Sequence, residues 1–160
     1  MIRWDLFYDV LRDVALDGFA AHDAGISMLR VAVGTFFAIS GYHKLFNKSR
    51  HEAMRKTLEE DHIPALRLNE WLVPIVEFVG GTSLALGLFA VFFAWSLGMV
   101  CLVATCADGL KRIREYYHPI DAADWLDDLL YLPEILYGLM LVAVILGGPG
   151  RLSLDSLLWR

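Results

Sequence analysis

The chain has no excess of basic residues, no C-x-x-C pair and no two histidines three or four residues apart. From Phe78 to Ala107 it also has no Asp, Glu, Lys or Arg for thirty consecutive residues. Each absence removes a class of protein. With 14 Lys+Arg against 19 Asp+Glu the net charge is −5, so no basic face exists for a nucleic acid. The two cysteines, Cys101 and Cys106, lie in the apolar run and cannot frame a secreted disulfide scaffold. Five residues apart on a helix, they project roughly 140° from one another. They read as small apolar core residues rather than a redox pair, which calls for C-x-x-C at a helix start. His22, His43, His51, His62 and His118 make no helical pair, so structural zinc and bis-histidine haem lack ligands and no metal is assigned. The N-terminus carries five aspartates before residue 24 and no uninterrupted apolar core, unlike a cleavable signal peptide.

What is present is apolar sequence. Of the 160 residues, 57% are hydrophobic and 21% charged. At about 1.5 Å of rise per residue, about 20 residues cross the hydrocarbon core. From Trp71 to Ala107 the only charge is Glu77, and a straight helix of that length would reach roughly 55 Å, nearly twice the core. Two antiparallel spans must share it, with a turn near Gly87 to Phe92. The pattern predicts an all-α fold, a transmembrane four-helix bundle with spans at roughly 26–46, 71–88, 91–108 and 129–147. An acidic amphipathic interfacial helix precedes it over residues 2–20, within an N-terminal extension of 1–24 ahead of a membrane domain of 25–160. Arg30 and Lys44 bracket the uncharged centre of the first span and are expected to snorkel to the interfaces. Ser49 to Asp61 reads as an interfacial helical connector ending at Ile63-Pro64, and Asp121 as the cap of a short helix before the fourth span. Gly148-Pro149-Gly150 stops that span.

The connectors after spans one and three, with Lys44, hold nine Lys/Arg, and the opposite side holds the other five. This asymmetry predicts connectors 47–70 and 109–128 in the cytoplasm and both termini outside.

The ionisable residues within spans are the candidates for chemistry, because each costs several kcal/mol unless paired or hydrated. Glu77 and Glu134 are candidate catalytic carboxylates, with Lys44 and Arg30 as candidate ligands for a polar headgroup. On the expected topology Glu77, Glu134 and Lys44 share one side, whereas Arg30 lies nearer the other and its partner is unassigned. Such a cluster suits a carbonyl-bearing quinone whose protons must be relayed. The structural alternative, an internal ion pair that fixes helix packing, stands beside it. Gly34, Gly41, Gly80, Gly81, Gly87 and Gly98 read as close helix contacts. Trp4, Trp71, Trp125 and Trp159 read as interfacial anchors.

Three stretches together resemble the DoxX family of small bacterial membrane proteins. They are Leu29 to Leu45 (LRVAVGTFFAISGYHKL), Pro74 to Gly87 (PIVEFVGGTSLALG) and Gly148 to Asp155 (GPGRLSLD). The apolar Phe89-Ala90-Val91-Phe92 replaces that family's usual polar turn, and the first 24 residues are an extension it generally lacks. The resemblance implies a four-span bundle in the bacterial inner membrane, related to the membrane subunit of thiosulfate:quinone oxidoreductase and to subunits of oxidative-stress complexes. Two functions are therefore expected. One is a non-autonomous membrane subunit of a quinone-linked redox system, with quinone as the one cofactor in view and electrons supplied by a protein partner. The other is a non-catalytic assembly subunit that binds another membrane or envelope protein through the N-terminal helix and the 109–128 connector.

Overall fold

The computed structural model describes residues 18–158 except His62, Pro64, His118 and Arg151. Residues 2–17 of the expected amphipathic helix, together with Trp4 and Trp159, lie outside the described residues. Among those described, all regular structure is helical. The elements are α1 (Gly18–Phe46), α2 (Lys48–Glu60), α3 (Leu66–Ile75), α4 (Gly81–Leu86), α5 (Ala90–Ala104), α6 (Leu110–Arg112), α7 (Ala122–Leu130), α8 (Pro133–Gly147) and α9 (Leu154–Leu158). Three wider π-helical turns, Val76–Gly80, Thr105–Gly109 and Ile113–Tyr117, join α3 to α4, α5 to α6, and continue α6. The result is four helical columns: α1; α3 with α4; α5 with α6; and α8.

Sequence signals account for most of the boundaries. Asn47 caps α2 by accepting from the amides of Ser49 and Arg50, and Asp121 caps α7 by accepting from Ala123 and Asp124, so each side-chain oxygen meets otherwise orphaned donors. The turn expected near Gly87 is there, with Gly87 at φ 75° and Phe89 at φ 48°. At the C-terminal end of α8, Gly148 takes φ 75° and the helix stops as its sequence requires.

Two expectations need correction. The helix that holds the first span is already formed at Gly18, ahead of the expected start near residue 26, and its candidate membrane span is His22–Phe46, so residues 18–24 are continuous with α1. The fourth column is not one helix from residue 129. Pro133 cannot continue an incoming helix because its ring displaces the preceding turn, and α7 meets α8 at a 70° bend. By length and composition His22–Phe46 and Ala90–Glu115 are each able to cross a membrane, and α7 with α8 makes a third candidate if the bent pair is one span.

The core is drawn from all four columns: Val33 and Phe37, Leu84, Ala90, Ala94, Leu97 and Cys101, and Leu141 and Val144. On α5 the buried positions follow i, i+4, i+7, i+11, one seam of a helix whose other faces are equally apolar. Small residues occupy much of that seam, while Phe92, Trp95, Met99 and Leu102 stay exposed, the arrangement expected where lipid covers the outside. Gly34, Gly41 and Gly81 let α1 and the second column touch backbone to backbone. A Cβ on Gly41 would lie 2.4 Å from the Phe78 nitrogen, and one on Gly81 2.4 Å from the Ala38 nitrogen. Gly98, read as another close contact, faces open space among the described residues.

Candidate functional site

At the end of the bundle where α1 finishes, Lys44 and Glu77 form an ion pair. Lys44 Nζ donates to both carboxylate oxygens of Glu77, at 2.6 and 2.7 Å. Ser40, one turn before Lys44 on the same face of α1, donates to Oε2 at 3.2 Å. Glu77 is only 4% exposed. It is carried on the π-helical turn that follows Pro74, a local widening frequent at functional sites. A bidentate, charge-assisted contact offsets the cost of holding a carboxylate in this surrounding.

Glu134 opens α8 and bonds elsewhere. Arg112 Nη2 donates to its Oε1 at 2.6 Å, and Arg112 Nε also lies 2.8 Å from Asp108 Oδ2. Glu134 Oε2 is buried without a hydrogen-bond partner among the described residues. Glu134 does come together with the Lys44–Glu77 pair, but across a cavity rather than in contact. A small cavity of about 140 Å³ is lined by all three, with Ser40, Cys101 and Tyr137. A larger one, about 1000 Å³, shares Phe36, Ser40, Lys44 and Glu77 with it. The Lys44–Glu77 pair therefore stands in the wall common to both. Phe36, Ile39, Leu72, Val76, Met99 and Val103 give the larger cavity its apolar side, and α2 roofs it through Ala53, Met54, Thr57 and Leu58.

Arg30 stands apart from this site. It lies 14 residues before Lys44 on α1, about 21 Å of helix rise, and is 2% exposed, so it neither snorkels to an interface nor reaches the carboxylates. Its Nη2 donates to the Leu152 carbonyl at 2.6 Å, and its guanidinium fills the space where Gly87 has no side chain. Asp155 completes the arrangement by accepting from the amides of Phe89 at 2.8 Å and Ala90 at 2.9 Å. This caps α5 where Phe89 holds a left-handed conformation rare outside glycine. The Asp155 amide donates back to the Gly87 carbonyl at 2.9 Å. The arginine of the first motif, the last glycine of the second and the aspartate of the third thus meet in one clasp.

Lys44 was legible as Glu77's neighbour from topology, and Ser40 could have been found four residues earlier on the same face. Arg112, 22 positions from Glu134, carries no comparable sequence signal. Cys101 is buried and Cys106 exposed, and both are free thiols. Among the described residues no three His, Cys, Asp or Glu side chains gather as metal ligands.

The fold and the site define an all-helical membrane protein with a half-buried ion pair beside a largely apolar cavity. The chain belongs to the DoxX family, whose sequence model, described as DoxX, matches residues 25–109, more than half of its length. No curated protein and no solved structure matches it.

Proposed function

We propose that this DoxX protein is a non-autonomous membrane subunit of a quinone-linked redox system, with its headgroup site at Lys44 and Glu77. One observation carries the reading: the ion pair between half-buried Lys44 and buried Glu77 stands in the wall of a cavity of about 1000 Å³, the upper size of ordinary ligand pockets. The residues fit such a molecule, since apolar Ile39, Leu72, Val76, Met99 and Val103 suit an isoprenoid tail, while Ser40, Lys44 and Glu77 meet in the same wall to hold a polar headgroup. A bound quinone supplies two-electron, two-proton carrier chemistry. Lys44 donates a hydrogen bond to a carbonyl oxygen, Glu77 holds or releases a proton beside it, and Ser40 orients the Glu77 carboxylate. Glu134 lines the small cavity and serves proton exchange rather than binding. Arg30 takes no part in the headgroup site, and electrons come from a protein partner.

The same reading places four crossings in the bacterial inner membrane, with connectors 47–70 and 109–128 in the cytoplasm and both termini outside. Its support is the nine of 14 basic residues in or beside those connectors. A second reading, an assembly subunit using residues 1–24 and 109–128, draws support from the Arg30–Gly87–Asp155 clasp, which accounts for motif residues without any ligand.

The test is purification in mild detergent, mass spectrometry of copurifying small molecules, and titration with a short-chain quinone analogue. Wild type is expected to bind the analogue and Glu77→Gln to bind it at least tenfold more weakly. Equal binding by both, or no binding by wild type, rejects the headgroup site. Capture of a membrane protein that is lost on deleting residues 1–24, with no quinone present, favours the assembly reading.

A further inference from the structure

The roof of the large cavity is held in an unusual way. Helix α2 has no buried residue, so little apolar packing fixes it over the space below. Its inward ties are polar, and one of them is His51, whose side chain is 17% exposed beside a Glu70 side chain at 14%. His51 Nδ1 lies 3.0 Å from the Lys44 carbonyl oxygen, and Nε2 lies 3.1 Å from Glu70 Oε1. A carbonyl and an ionised carboxylate only accept hydrogen bonds, and a neutral imidazole has one N–H to donate. Both contacts are satisfied together only by the doubly protonated ring. The Trp71 ring, with its centroid 4.8 Å from that of the imidazole, is a further neighbour suited to a cation.

We propose that His51 is a positioning residue that latches α2 over the cavity when protonated and releases it when neutral, so that access to the Lys44–Glu77 site depends on pH. The proposal rests on the reading of that cavity as the ligand site, and its latch is testable without a ligand. The charged groups around His51 are consistent with this. From α3 comes Glu70. From α2 itself comes Arg55, 3.9 Å from Glu70 Oε2 and paired with Glu59 at 3.1 Å. From α1 comes Lys44, whose ammonium is engaged by Glu77 while its carbonyl faces His51. A second polar tie, Lys111 with Asp61, anchors the far end of α2, so loss of the latch lifts one end of the helix rather than freeing it. Because the latch grips the backbone of Lys44 itself, its release also loosens the residue that holds Glu77.

The experiment is hydrogen exchange of the full chain in lipid nanodiscs, read over residues 48–60 at pH 5.5 and pH 8 and corrected for intrinsic exchange, with residues 90–104 as the control segment. Wild type is expected to lose about tenfold protection in α2 at the higher pH, the scale of one charge-assisted hydrogen bond, with the control unchanged. His51→Gln is expected to show the weaker protection at both pH values. Glu70→Gln gives the decisive outcome: its amide can donate to the unprotonated Nε2 while Nδ1–H still donates to Lys44, so α2 stays protected at both. A wild type without pH dependence, or a Glu70→Gln variant that retains it, overturns the latch. Titration of the same samples with the quinone analogue scores the site separately, and a closed, pH-sensitive roof over a protein that binds no quinone rejects the proposed function while leaving the latch standing.

Discussion

Gly87 and Gly98 are both glycines of the apolar run, yet alanine at each should have opposite effects. At Gly87 the backbone is left-handed and a Cβ would collide with Arg30 Nη1, so Gly87→Ala should destabilise the protein by about 2 kcal/mol. At Gly98 nothing lies within 4 Å, and Gly98→Ala should stabilise α5 by about 0.5 kcal/mol through lower chain entropy. Asp155→Ala removes both amide contacts at the start of α5 and should cost about 2 kcal/mol. Thermal unfolding in one detergent ranks the three. The ion pair separates packing from chemistry in the same way. Glu77→Met leaves the Lys44 ammonium unpaired and should cost about 3 kcal/mol, whereas adding Lys44→Met should return stability to within about 1 kcal/mol of wild type. Quinone-analogue binding should be absent from both variants; binding by the double variant would make the pair a packing device only.

At the scale of elements, the short connector helices depend on caps more than on burial. Helix α7 holds only Asp128 buried, while Trp125, Leu126 and Leu130 are exposed, so its amphipathic face rests on little protein. Asp121→Ala should remove about 1 kcal/mol from this helix alone. The checking measurement is hydrogen exchange, faster over 122–130 and unaltered over 133–147, because the break at Tyr131-Leu132 uncouples the two. An equal change in α8 would mean that the bent pair behaves as one unit. The break itself was only half legible. Pro133 marks it in the sequence, but the apolar run continues through Leu129, Leu130 and Leu132 and hides the 70° change of direction.

For the whole molecule, antiparallel columns bring both connectors to one end and the clasp around Gly87 and Asp155 to the other. In a Cys106→Ser background, Lys56→Cys and Arg114→Cys should react with an impermeant maleimide from the same side of the membrane. Leu152→Cys, whose side chain is exposed, should react from the opposite side. Intact cells and inverted vesicles distinguish the two faces. Labelling of positions 56 and 152 from one side would refute the four-crossing arrangement, and a reversed pattern would refute only the proposed orientation.

The sequence by itself determined the helical class, the two helical columns that share residues 71–107, the turn at Gly87, the cap at Asp121 and the stop at Gly148. These are local effects: hydropathy, missing side chains and side-chain oxygens close to free amides. It also singled out Glu77, Glu134 and Lys44, because a charge in apolar sequence is conspicuous wherever it points. Only the tertiary structure decided the pairing, with Lys44 on Glu77, Arg112 on Glu134 and Arg30 in the clasp with Leu152 and Asp155. The physical reason is rotation about the helix axis. A helix such as α5, apolar on every face, carries no periodicity to say which side meets its neighbour, so each charge finds its partner only once backbone contacts at Gly34, Gly41 and Gly81 have set how the columns are turned.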